Sequence, residues 1–282
     1  MDRTVKEGVY TKEFSINHCT GISDDPELHL HDNIEIYLSI SGGDKFIISD
    51  KIYDINPMDL FIIGNYDIHK ATCLNNAPYE RYYMQFNIKF LSQFSTSKTD
   101  FIQYFNDFFN NAMNRIHLSK EQNEDLIRLF KKILNINVSV GKDLLEQIYF
   151  IEIILFISQL LYTEEYLNLN FSYYLNDDIP VLKKLFDYIN KNISEDLSLE
   201  VLANEIHVSK SYMCKVFKDN TGTTINKYII ARRIAEAKKL LMLHDNIMYI
   251  CDKTGFNNYS HFIRTFTNKV GISPMKYAKK FR

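Results

Sequence analysis

A chain of 282 residues is long enough for two folded units rather than one. Its net charge of −2 conceals a division: residues 180–282 hold 18 Lys and Arg against 9 Asp and Glu, and residues 1–179 hold 15 against 26. The basic final third predicts a polyanion-binding module beside an acidic body with another task. Four scattered cysteines (Cys19, Cys73, Cys214, Cys251) without a CxxC pair argue against a disulfide framework and predict reduced thiols in a cytoplasmic setting. The first residues show no apolar leader.

Up to about Asn87 the chain reads as strands. Ile34–Leu38, Phe46–Ile48, Leu60–Ile63 and Tyr82–Phe86 are short apolar runs separated by turn signals such as Ser41-Gly42-Gly43-Asp44 and Asn56-Pro57. Their spacing predicts an antiparallel sandwich or barrel. In His29-Leu30-His31-Asp32-Asn33-Ile34-Glu35 the period is two, so His29, His31, Glu35 and Tyr37 are expected on one strand face. His69 follows a later strand.

From about Ser97 the period becomes helical: Phe101, Phe105 and Phe108 recur, then Glu121–Leu134 and Asp143–Leu167. The last is apolar around most of its circumference and must be covered on several sides: it is either a core helix, or the barrel covers one side and a second subunit another. Glu146 and Glu152 make it a poor membrane span. A polar link at 171–179, where the charge changes sign, sets a boundary near Asp178. Helices are predicted beyond it at 181–193, 199–206, 210–219, 225–242, 247–253, 259–269 and 275–281. Val201-Leu202-Ala203…Ser209…Phe217…Gly222 parallels Ile250-Cys251…Asn258…Phe266…Gly271, a degenerate repeat of helix, turn, helix and glycine.

In a helix-turn-helix the second helix enters the major groove. Those helices begin near Ser209 and Asn258, joined by a rod over Ile225–Leu243 that is about 28 Å long at 1.5 Å per residue. One DNA turn is about 34 Å, so two such helices can enter successive major grooves.

Residues 180–282 resemble the DNA-binding domain of the AraC/XylS family of bacterial transcription regulators. Leu202-Ala203, Ser209, Tyr212, Phe217-Lys218, Gly222, Tyr228, Arg232, Ala237, Leu240-Leu241, Ile247, Ile250, Gly255-Phe256, Ser260, Phe262, Arg264, Phe266, Gly271, Ser273-Pro274 and Tyr277 fall in the family's order. Cys251 stands where Ala is usual, and Ala278 where Arg often follows Tyr. The resemblance implies groove-facing Ser211, Cys214 and Lys215 on the first recognition helix and Tyr259, Ser260 and Arg264 on the second, with Lys210 and His261 nearby. Arg264 would pair with a guanine edge or contact a phosphate. Lys218, Lys227, Arg232, Lys253 and Lys269 would join Lys210 in neutralising phosphates. Phe217, Phe256, Phe262 and Phe266 belong to the core.

Residues 1–90 resemble a cupin barrel: an HxH…E element, a Pro turn, then a late His. The resemblance implies either a metal-free polar effector pocket drawing on some of His29, His31, Glu35, Tyr37, His69, Arg81 and Tyr83, or, as in enzymatic cupins, a first-row divalent metal on His29, His31, Glu35 and His69, the alternative being a merely solvated polar face; no metal or other cofactor is assigned. The expected fold is α+β multidomain: a cupin-like antiparallel barrel (1–95), dimerisation helices (96–178), and an all-α domain with two helix-turn-helix units (179–282). The expected function is a non-enzymatic, ligand-responsive transcription regulator, by family default an activator. Its expected partners are promoter double-stranded DNA, a carbohydrate or other polar metabolite, a second copy of the chain and RNA polymerase, with no membrane. The alternative is a metal-dependent cupin enzyme or metal sensor fused to a DNA-binding domain.

Overall fold

Alternating apolar runs and tight turns build the first half of the chain into antiparallel strands. The computed structural model of the protein describes residues 5–21, 27–72, 79–110, 114–162 and 180–281. Its strands are β1 (Val5–Tyr10), β2 (Phe14–Gly21), β3 (Ile34–Ser39), β4 (Lys45–Ile48), β5 (Lys51–Asp54), β6 (Asp59–Ile63), β7 (His69–Ala71), β8 (Tyr79–Phe86) and β9 (Arg115–His117). They form a six-stranded sheet in the order β1-β2-β8-β3-β6-β9 and a three-stranded sheet in the order β5-β4-β7.

The expected closed barrel is not formed. The two sheets face each other as a sandwich, and between their described strands no ladder runs from β5 or β7 into the larger sheet. The chain leaves β6 through a turn in which Tyr66 has φ 81. Asp67 holds that turn by accepting from the Gly64 amide at 3.0 Å and the Ser49 hydroxyl at 2.9 Å. The strand therefore ends rather than curling into its neighbour. Tyr37, Phe61 and Ile63 of the large sheet meet Phe46, Ile48 and Tyr53 of the small one in a shared core, with the Phe46 and Phe61 rings 4.9 Å apart.

The other face of the large sheet is closed by helices. These are a short 3-10 turn (Ile88–Phe94), α1 (Phe101–Asn110), α2 (Lys120–Leu134) and α3 (Lys142–Leu161). α2 starts where expected because Ser119 and Gln122 form a reciprocal capping box. Phe105, Phe130, Phe150 and Ile154 pack on Ile16, Ile36, Met84 and Phe86; Phe150 stacks on Phe14 at 4.4 Å. Truncating a buried Phe of this kind costs about 3–5 kcal/mol.

α3 is the one described helix long and apolar enough to cross a membrane. One side of it, with Phe150, Ile153, Ile154 and Ile157, is buried in this core. Leu144, Ile148 and Leu155 form an exposed stripe on the other. The expected continuation to Leu167 lies outside the described residues, as do the link at 171–179 and the boundary near Asp178.

The second half is helical: α4 (Pro180–Lys191), α5 (Leu199–Glu205), α6 (Lys210–Thr221), α7 (Ile225–Leu243), α8 (Ile247–Lys253), α9 (Tyr259–Val270) and α10 (Pro274–Phe281). α7 threads two cores. Its Tyr228, Ala231 and Ala235 join Phe186, Leu202, Met213 and Phe217 in the first. Its Ile234, Ala237 and Leu241 join Phe256, Phe262, Phe266 and Tyr277 in the second.

Candidate nucleic-acid interface and sensor site

Two helix-turn-helix units are built by one local solution used twice. α5 ends in a turn closed by the Val208 amide on the Ala203 carbonyl at 3.1 Å, and α8 by the Phe256 amide on the Cys251 carbonyl at 3.1 Å. Each turn passes through a left-handed residue, His207 at φ 59 and Gly255 at φ 73. The following helix is then capped. Ser209 Oγ accepts from the Tyr212 amide at 3.2 Å, and Asn258 Oδ1 from the His261 amide at 2.8 Å. Gly222 and Gly271, both left-handed, stop α6 and α9.

Burial sorts the predicted interface. Met213 and Phe217 of α6 and Phe262 and Phe266 of α9 are buried. Lys210, Ser211 and Lys215 on α6 and Tyr259, Ser260, His261 and Arg264 on α9 are exposed. Cys214 is only half-buried and touches the first core, which leaves it little to offer a base edge. Neither α6 nor α9 carries an acidic residue in its first turn, so the positive ends of their dipoles stay available to phosphate. Lys210 is ion-paired with Glu200 of α5. Lys227 and Lys269 both pair with Glu27, at 3.3 and 3.7 Å.

The predicted effector residues fall at two places along one wall. β3 pairs with β8 so that Glu35 lies opposite Gln85, Tyr37 opposite Tyr83 and Ser39 opposite Arg81. Glu35, Tyr37, Arg81 and Tyr83 therefore share the face turned toward the small sheet. Arg81 sits four residues from Gln85, about 13 Å along the strand. The structure corrects the placement of His29 and His31: both precede β3 instead of lying on it. His29 is held by an isolated bridge to His69. The rings nonetheless gather at Glu35, with His31 Nε2 3.0 Å and His69 Nε2 3.7 Å from its Oε2. Gln85 donates to the same oxygen at 2.6 Å. Burial pushes the Glu35 carboxyl up, but hydrogen bonds and charge from His31 and His69 outweigh it and hold the group well below the usual range. Burial raises the Tyr37 and Tyr83 phenols, which keeps them neutral donors.

The two-sheet region and the helical domain share an interface that the sequence did not announce. Ile47 and Ile68 enter the first helical core. Tyr228 donates its hydroxyl to the Ser49 carbonyl at 3.0 Å, and Lys70 donates to the Gly222 carbonyl at 2.9 Å. Asp32 accepts from Lys238 at 2.7 Å and from the Tyr277 hydroxyl at 2.5 Å. Lys238 is only 3% exposed, and burial lowers its pKa against the opposing pull of Asp32. The one signal for it in the sequence is a lysine on the Ile234–Leu241 stripe of α7, where an apolar residue is expected.

Residues 202–280 match the family described as Helix-turn-helix domain. The multiple antibiotic resistance protein MarA of Escherichia coli is 32% identical over 103 residues, 36% of this chain and 81% of MarA. The regulatory protein PocR of Salmonella typhimurium is 31% identical over 100 residues, 35% of this chain and 33% of PocR. The crystal structure of ToxT from Vibrio cholerae O395 aligns over 95% of this chain and 98% of its own at 16% identity, with a TM-score of 0.37, too low to equate the folds.

Proposed function

The chain belongs to the AraC family of helix-turn-helix transcription regulators, and from that premise we propose how it reads DNA and what controls it. α6 and α9 enter successive major grooves. Lys215 and Arg264 make the principal polar contacts there; Ser211, Tyr259, Ser260 and His261 complete the readout, and Cys214 contributes van der Waals fit. The observation that carries this is the duplicated turn-and-cap geometry at Ser209 and Asn258, which buries one face of each helix and leaves the polar face outward.

The two-sheet region is a cupin-like sensor, opened into a sandwich, for a small polar metabolite such as a carbohydrate. Its site is the inner wall that carries Glu35, Tyr37, Tyr83 and Arg81 with the three histidines. Residues 1–95 act as the sensor, 96–178 as the dimerisation region and 179–282 as the DNA-binding domain. Two copies pair through the exposed stripe Leu144, Ile148 and Leu155 of α3. The regulator works in the cytoplasm as an activator, engaging RNA polymerase, and catalyses no reaction. Effector acts by differential affinity for two arrangements of sensor and DNA-binding domain.

A duplex recovered from randomised DNA by the full chain tests the interface. Arg264→Ala combined with Lys215→Ala abolishes its specific shift while leaving the circular dichroism spectrum intact. Unchanged affinity in the double variant refutes the assignment.

A further inference from the structure

Arg81 is a buried charge without a counter-charge. It is 7% exposed. Its Nη1 is sealed from water and has no hydrogen-bond partner, and no ion pair joins the guanidinium to an acidic side chain among the described residues. Its chain neighbour Glu80 lies on the opposite face of β8 and meets His18 at 2.9 Å. Glu35 is engaged by His31, His69 and Gln85, about 13 Å away along the strand pair. The guanidinium lies over the Tyr79 ring, with Cζ 4.5 Å from the centroid. That contact stabilises a cation through the ring face, but it leaves the N–H edge of the fork unanswered. An unpaired buried charge is costly to hold, so the arrangement is suited to an anion supplied from outside the chain.

Other donors gather at the same edge. The pairing of β3 with β8 sets Ser39 directly across from Arg81 and Tyr37 two residues further on, on the same face. Ser39 is fully buried; its Oγ accepts from the Gly42 amide at 3.1 Å, which leaves its own hydrogen to be donated. The Tyr37 hydroxyl is buried and makes no hydrogen bond of ordinary geometry. Burial raises the phenol's pKa, and the Arg81 charge pulls it down too little to ionise it, so Tyr37 is a neutral donor. Arg81 is the one charged side chain described at this end of the wall, with Asn17, Cys19 and Tyr83 beside it. A single guanidinium balances a single negative charge. Its fork, flanked by two hydroxyls, matches the paired oxygens of a carboxylate, whereas a phosphate dianion would bury a charge in excess.

The wall is open toward β1. The small sheet covers the inner face of β3 and β6. Along the row that runs from Tyr37 through Tyr83 and Asn17, the last position is Gly8. Gly8 and Tyr10 are exposed, and Tyr83 is only half-buried. A Cβ on Gly8 would lie 2.6 Å from Asn17 Oδ1, so this position takes no side chain and the row is unroofed there. A ligand that enters over Gly8 meets the Tyr83 ring first and Arg81 beyond it.

We propose, on the sensor reading above, that Arg81 with Tyr37 and Ser39 forms an anion seat for one carboxylate, so that the effector is a small organic acid, a sugar acid included, and not a neutral sugar.

Thermal melts of the full chain in chloride-free buffer test the seat. With nothing added, Arg81→Met should raise the midpoint by at least about 3 °C, because it removes an unpaired buried charge and nearly keeps the volume. A lowered midpoint makes Arg81 a structural residue and overturns the seat. Sodium formate, acetate and glucuronate are then compared with glucose and sodium chloride at matched ionic strength. At least one carboxylate should raise the parent midpoint as its concentration grows and leave Arg81→Met unmoved. Tyr37→Phe, which removes only a hydroxyl, should weaken that binding at least about fivefold. Indifference of the parent to all three carboxylates, an equal rise with chloride, or a rise retained in Arg81→Met overturns the seat. The carboxylate that binds should also change the parent's affinity for its selected duplex at least about fivefold. Binding without that change leaves the seat standing and refutes the sensor reading. A response to glucose that survives Arg81→Met, with none to the carboxylates, upholds the sensor and overturns the organic acid.

Discussion

The duplicated turn makes opposite predictions at two equivalent positions. Gly255 and His207 both sit in left-handed backbone at the end of the first helix of a unit. A Cβ on Gly255 would lie 2.5 Å from the Ile193 carbonyl oxygen and 2.7 Å from Arg233 Nη2. Left-handed backbone costs a non-glycine residue about 1–2 kcal/mol. The clash also displaces Arg233, which donates to the Ile193 carbonyl at 3.1 Å and the Glu195 carbonyl at 2.8 Å. Loosening those two half-exposed bonds adds about 1–2 kcal/mol. Gly255→Ala should therefore cost about 3 kcal/mol, and the helical domain's midpoint should fall by at least about 12 °C. His207→Gly relieves about 1 kcal/mol of strain and returns part of it as unfolded-chain entropy, so its midpoint should hold or rise slightly. Thermal melts of both full-length variants by far-ultraviolet circular dichroism decide the matter. A Gly255→Ala midpoint within about 3 °C of the parent would refute the packing argument, as would loss of more than about 1 kcal/mol in His207→Gly.

Asp32→Ala strands a buried ammonium at Lys238 and should cost about 2–3 kcal/mol, less than a fully buried pair because Asp32 is 25% exposed. Faster proteolysis between the sheet region and the helical domain would report it, and Lys238→Met in the same background should restore most of the loss. Ile148→Glu places a charge in the exposed stripe of α3; sedimentation should show monomers where the parent sediments as a dimer. DNA affinity should fall steeply with salt, and Lys218→Ala should reduce the slope of log Kd against log salt by about 1. A slope unaltered by Lys218→Ala assigns that lysine no phosphate.

The C-terminal helices were legible because their ends are written in local chemistry. Ser198, Ser209, Asn246 and Asn258 cap starts, and Gly222 and Gly271 mark stops. Predicted and observed spans there differ by a residue or two at most ends. The sheet was legible where an apolar run stood between turn signals: Ile34–Leu38, Phe46–Ile48, Leu60–Ile63 and Tyr82–Phe86 lie within β3, β4, β6 and β8. Strands such as β1, β5 and β9 are short or polar, and long-range pairing rather than propensity makes them. β9 enters the sheet from between α1 and α2, with Leu60 opposite Ile116, a juxtaposition that no local pattern encodes.

For the candidate sites the division is similar. Exposure of Tyr259, Ser260 and Arg264 followed from helical spacing around Phe262 and Phe266, and that of Lys215 from the family resemblance. Strand alternation put His29, His31 and Glu35 on one face and the resemblance added His69; His31 and His69 do meet Glu35, but His29 is bridged to His69 and both His29 and His31 lie in the segment before β3. The clamp of Asp32 on Lys238 and Tyr277 was not anticipated, since its partners are more than 200 residues apart in sequence.

Hydroxyl-radical footprinting of the full chain on its selected duplex tests the central claim most directly. The account predicts two protected windows on one face of the duplex, about one helical turn apart. Arg264→Ala should erase one window and Lys215→Ala weaken the other. A single window, or two windows indifferent to both substitutions, would contradict it.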